Sequence, residues 1–150
     1  MNLQQKKFIR EKLIPFVLRE QGRGFAMSEW TEYLDEGGKI KLDGVFRTVP
    51  KCNTVACIGG SAQILFSSGK NFYASMSDED IADRLGLTLS QAQGLFYQWE
   101  GKSKMCDGHG WPLKFASRYK KAKTTLGKAK VAVALLEEVV KTNGKILDPK

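Results

Sequence analysis

The chain has one histidine, three cysteines and four prolines in 150 residues, and each scarcity narrows the field. An odd number of cysteines cannot all pair within the chain, which argues against a secreted disulfide scaffold. No segment approaches the ~20 consecutive apolar residues of a membrane span. The opening Met1-Asn2-Leu3-Gln4-Gln5-Lys6-Lys7 turns amphipathic at once, without the apolar stretch of a secretion signal. Together these lead us to expect a reduced, cytoplasmic protein. No phosphate-cradling glycine loop, paired-carboxylate spacing or serine nucleophile elbow is present, and Gly59-Gly60-Ser61 is too apolar in context to serve as one.

What is present is a globular composition: 42% apolar, 27% charged and 10% aromatic. A chain of this size buries roughly 68–70% of its unfolded surface, enough for a core without metal or disulfide support. Length gives no reason to split it, so residues 1–150 read as a single helical domain. The net charge of +8 comes from 24 basic and 16 acidic residues, unevenly placed. Residues 1–113 hold 14 basic against 13 acidic side chains, and residues 114–150 hold 10 against 3. Lys114, Arg118, Lys120, Lys121, Lys123, Lys128 and Lys130 follow one another with no acid between them. That is the pattern of a polyanion-binding face. Trp111, Phe115 and Tyr119 interleave with these cations, placed either to stack on bases or to pack inward. The plainer reading is a solvated lysine face on an amphipathic helix.

Local signals predict a mainly α fold, a compact bundle of about five to six helices with an irregular or small β-hairpin segment near residues 22–52. Helical spacing covers 3–21, with Pro15 predicting a kink or two short helices. Residues 54–66 read as a buried helix, rich in small residues and capped by Asn53 or Thr54. Ser77 and three following acids predict a helix start, Gly86 its stop, and Thr88 with Gln91 a capping box opening a second helix through Trp99. Residues 113–123 and 124–142 complete the set. The second carries an apolar stripe of Leu126, Ala129, Val133, Leu136 and Val140 and ends at Asn143-Gly144.

Two further constellations invite functional readings. Asp80 to Ala92 resembles a helix-turn-helix, with Ala82 at the crossing and Gly86 at the turn. A recognition helix needs outward donors and cations. Ser90, Gln91, Gln93 and Gln98 are the only candidates, behind the acids Asp78, Glu79, Asp80 and Asp83, so a structural corner is the stronger expectation. Cys52, Cys57, Cys106 and His109 form a Cys₃His set that could hold zinc, against the plain alternative of a buried thiol and incidental neighbours. Cys57 with His109 as base would make a nucleophilic site, but no orienting group or oxyanion hole accompanies them.

The run Cys52-Asn53-Thr54-Val55-Ala56-Cys57-Ile58-Gly59-Gly60, followed by Leu85-Gly86-Leu87, Ala92, Leu95-Phe96 and Trp111-Pro112, resembles a group of small phage and prophage proteins. They share a Cys-x-Thr-x-x-Cys-x-x-Gly helix start, a Leu-Gly-Leu…Leu-Phe segment and a Trp-Pro. The likeness spans roughly residues 25–140; Asn53 stands where glycine is usual, and Ser61 where an aromatic often follows. The resemblance implies a bacterial host cytoplasm and a role in host–phage interaction, and it transfers no catalytic residues. The expected function is therefore non-enzymatic contact with nucleic acid or a nucleoprotein complex through the basic C-terminal face. The alternative is a protein-protein inhibitor of a host enzyme or defence system, presenting Trp30, Trp99 and Trp111.

Overall fold

The computed structural model describes residues 1–27, 31–33, 39–42, 44–48, 54–67, 76–96 and 110–148. Its helices are α1 (Leu3–Phe8), α2 (Ile14–Leu18), α3 (Ile58–Phe66), α4 (Asp78–Leu85), α5 (Leu89–Phe96), α6 (Leu113–Lys121) and α7 (Thr125–Thr142). Four short strands, β1 (Thr31–Tyr33), β2 (Lys39–Leu42), β3 (Val45–Thr48) and β4 (Thr54–Ala56), form two antiparallel pairs, β1 with β4 and β2 with β3. The fold is mainly helical, as the periodicity predicts.

At Pro15 the first helical stretch is divided into two short helices, α1 and α2, as one arm of the expectation has it. The preceding turn, Ile9–Leu13, widens into a π-helical turn in which the Ile14 N–H reaches back to Ile9 O. This extra residue absorbs a proline that has no N–H to offer and would crowd a regular α turn. The second of these ends at Arg19–Gly22, where Glu20, Gln21 and Gly22 are all left-handed (φ 50, 58 and 75). Two non-glycine residues in that region cost on the order of 1–2 kcal/mol each. Packing against α7 offsets the strain: Thr125 Oγ1 donates to Gln21 O at 2.9 Å. Gly22 lies so close to the Thr125 carbonyl that a Cβ would stand 2.6 Å from it.

The predicted helix over 54–66 is corrected at its start. Residues 54–56 are strand β4, paired with β1, and the cap is Cys57, whose Sγ accepts the Gly60 N–H at 3.4 Å. The stripe on α7 is also wider than the sequence suggests. Leu126 and Val133 are only half-buried, whereas Val131, Ala132, Leu135 and Val139 join Ala129, Leu136 and Val140 in the core. The reason is position: α7 is packed by α2 and the left-handed turn as well as by α6. Its ends follow the sequence, with Thr124 capping Gly127 and Asn143 left-handed at the C-terminus.

A candidate nucleic-acid interface on α6

The seven basic residues singled out in the sequence do not form one face. On α6, Phe115, Ala116 and Tyr119 are buried, and Lys114, Arg118, Lys120 and Lys121 are exposed. At about 100° per residue, Lys114, Arg118 and Lys121 (i, i+4, i+7) line up along the side opposite the core, over about 10 Å of axis. Lys120 belongs to the next row, with Ser117 and the 74% exposed Leu113. Lys123 is exposed in the connection to α7, and Lys130 is exposed on α7 itself. Among the described residues, Lys114, Arg118, Lys121, Lys123 and Lys130 make no ion pair. The Lys114 ammonium lies 4.8 Å from the centroid of Phe115.

Lys128 is a correction. It is 4% exposed, with its Nζ donating to Tyr119 O at 3.0 Å and standing 4.1 Å from the Tyr119 ring centroid. There it supplies positive charge to the carbonyl end of α6, where the helix dipole favours a cation. Lys130, two residues on, is turned about 200° around α7, away from the side that meets α6. The basic surface therefore consists of the α6 row with Lys123 beside it, and Lys130 stands apart.

The interleaved aromatics resolve in the same way. Trp111, Phe115 and Tyr119 are all buried. Trp111 Nε1 donates to Leu95 O at 2.8 Å, and the Trp111 and Phe25 rings meet Tyr119 edge-on at 5.2 and 6.2 Å. Tyr119 Oη accepts the Met27 N–H at 3.1 Å. These rings clamp α6 to the core, so none is available to stack on a base. Trp111 cannot belong to an exposed aromatic docking surface either. Trp30 and Trp99, the other members proposed for it, lie outside the described residues.

The helix-turn-helix reading gives way to a structural corner. Gly86 makes the turn at φ +70, and Gln5 Nε2 donates to Asp83 O at 3.1 Å beside it. The would-be recognition helix α5 is covered by the segment following α7: Gln91 Nε2 donates to Asp148 Oδ1 at 2.7 Å, and Gly94 faces Leu147 closely. A helix so covered cannot enter a major groove, which needs its outer side bare. Gln98 lies outside the described residues.

Cys57 is a buried thiol at the start of α3. Burial, more than its backbone hydrogen bonds can offset, pushes its pKa up from 9.0 to about 11. It is therefore protonated at neutral pH, the reverse of an activated nucleophile or a ready metal ligand. Cys52, Cys106 and His109, the remainder of the Cys₃His set, lie outside the described residues. Among the described residues no group of His, Cys, Asp and Glu is assembled to hold a metal ion, and no helix is long and apolar enough to cross a membrane.

Sequence reasoning passed over one exposed group on β2–β3. Phe46 is 71% exposed, opposite Lys41 in the strand register, with Lys41 Nζ 5.2 Å from its ring centroid. The signal was available in Asp43-Gly44: a hairpin turning there fixes the register and places Lys41 and Phe46 on one side, away from the buried Val45. Comparison with protein-family models, curated proteins and solved structures gave no match to this chain.

Proposed function

We propose that this chain is a non-enzymatic nucleic-acid-binding protein that grips the phosphate backbone with Lys114, Arg118 and Lys121 of α6, assisted by Lys123. The observation that carries the reading is a row of three exposed cations, without ion-pair partners among the described residues, on a helix whose aromatic residues all point inward. Such a row offers charge and one guanidinium fork but little to distinguish one base from another, so α6 contacts position the nucleic acid rather than read it. The likeness to phage and prophage proteins would set this contact, with nucleic acid alone or within a nucleoprotein complex, in a bacterial cell.

Three to four phosphate contacts give log K a slope of about −2.7 to −3.6 against log salt on a duplex and about −2 to −3 on a single strand. Fluorescence anisotropy with a labelled oligonucleotide, repeated between about 50 and 200 mM salt, measures that slope. Reversing Lys114, Arg118 and Lys121 to Glu should abolish binding while leaving the circular dichroism spectrum and melting temperature close to wild type. A folded triple variant that still binds with the original slope would refute the reading.

A further inference from the structure

We propose that the β2–β3 hairpin is a base-stacking site for single-stranded nucleic acid, with the Phe46 ring as platform and Lys41 placed to meet the adjoining phosphate. The inference rests on the reading that this chain binds nucleic acid, and adds what α6 lacks, an exposed ring. Among the residues whose side chains are described, Phe46 is the only exposed aromatic.

The fold itself gains little from this arrangement. Burying a phenylalanine stabilises a fold well beyond what an exposed cation–π pair contributes, and Phe46 has the second in place of the first. The opposite side of the hairpin is where apolar burial occurs, at Val45. The register Lys41↔Phe46 holds cation and ring side by side at a non-covalent 5.2 Å. A nucleotide offers the same two partners side by side, a flat base and a phosphate.

Charge selects the occupant. Residues 39–48 carry Lys39, Lys41 and Arg47 against Asp43 alone, a net positive ribbon in a chain of net +8. One ring with Lys41 beside it is far smaller than the 1,200 Å² or so that a stable protein interface buries, whereas a single base stacked on a single ring is a complete interaction. Bases in a duplex are already stacked on each other, so the ring selects unpaired strands.

The test is anisotropy with fluorescein-labelled oligo(dT) and with a mixed-sequence duplex of equal length. Phe46→Ala should weaken oligo(dT) binding by about 5- to 150-fold, leave the salt slope unchanged because no cation is lost, and leave duplex binding unchanged. Phe46→Tyr should restore oligo(dT) affinity, and Phe46→Leu should not. Because the side chain is exposed, melting temperatures should match wild type. Wild-type oligo(dT) affinity in Phe46→Ala, or full rescue by Leu, overturns the proposal. If the α6 triple reversal abolishes binding while Phe46→Ala changes nothing, the hairpin site falls and the α6 reading stands. If Phe46→Ala weakens oligo(dT) binding while the α6 reversal has no effect, stacking stands and the α6 reading falls.

Discussion

A thiol can serve a fold better than it serves chemistry, and Cys57 is such a case. Its Sγ accepts the Gly60 N–H, taking the place that serine or aspartate would fill at a helix start, and burial keeps it protonated. Because its folded pKa of about 11 stands above the ordinary 9.0, the native state holds its proton more tightly than the unfolded chain. That contribution is complete below pH 9 and is lost as pH rises from 9 towards 11; it amounts to about 2–3 kcal/mol. Chemical denaturation of wild type and Cys57→Ala across this window should show the difference between them shrinking by that amount. A constant difference would mean that the thiol titrates normally. Gly22 offers a second test at the same scale. A Cβ there would meet Thr125 O at 2.6 Å on a backbone held at φ +75, so Gly22→Ala should destabilise the protein by about 2–4 kcal/mol. A melting temperature close to wild type would show that the left-handed turn can rearrange freely.

At the scale of elements, the reach of each signal decided what could be read from the sequence. The start and stop of α4, the end of α7 and the existence of α6 are written in residues within one turn of each other, and the structure keeps them. Strand β4 carries a helical local pattern because its partner β1 lies more than 20 residues upstream and leaves no mark on it. Lysines are usually at the surface, yet Lys128 shares the α7 period of Ala132, Leu135 and Val139, all buried. Likewise Trp111, Phe115 and Tyr119 recur every four residues. A set so spaced shares one side, which cannot also be the side of Lys114, Arg118 and Lys121. The distinction is measurable. Lys128→Met keeps the packed stem and leaves Tyr119 O still accepting the Ala122 N–H at 3.2 Å. It should therefore cost less than about 1.5 kcal/mol and leave oligonucleotide affinity and salt slope unchanged. Arg118→Ala or Lys121→Ala should each reduce the slope by about one unit with little loss of stability. A slope change from Lys128→Met equal to theirs would return that residue to the interface.

For the whole molecule, the consequence is that α4 gathers acids on its surface while the only charged residues of α6 are cations. Glu79, Asp80 and Asp83 are exposed on α4, and they make no ion pair among the described residues. Lys114, Arg118 and Lys121 of α6 likewise make no ion pair among the described residues. On the reading proposed for α6, an approaching polyanion would be repelled by α4 and drawn to α6, so that the acids would orient the encounter without touching the bound strand. Neutralising Glu79→Gln and Asp83→Asn together raises the net charge from +8 to +10, while sparing Asp80, which the Ser77 capping box needs. Stopped-flow association with a labelled oligonucleotide should then accelerate a few-fold at low salt and converge with wild type at high salt, where the field is screened. Dissociation should stay unchanged, because no contact in the complex has been altered. Were α4 and α5 the binding surface instead, the same substitutions would remove repulsion inside the complex and slow dissociation as well, so the dissociation rate separates the two.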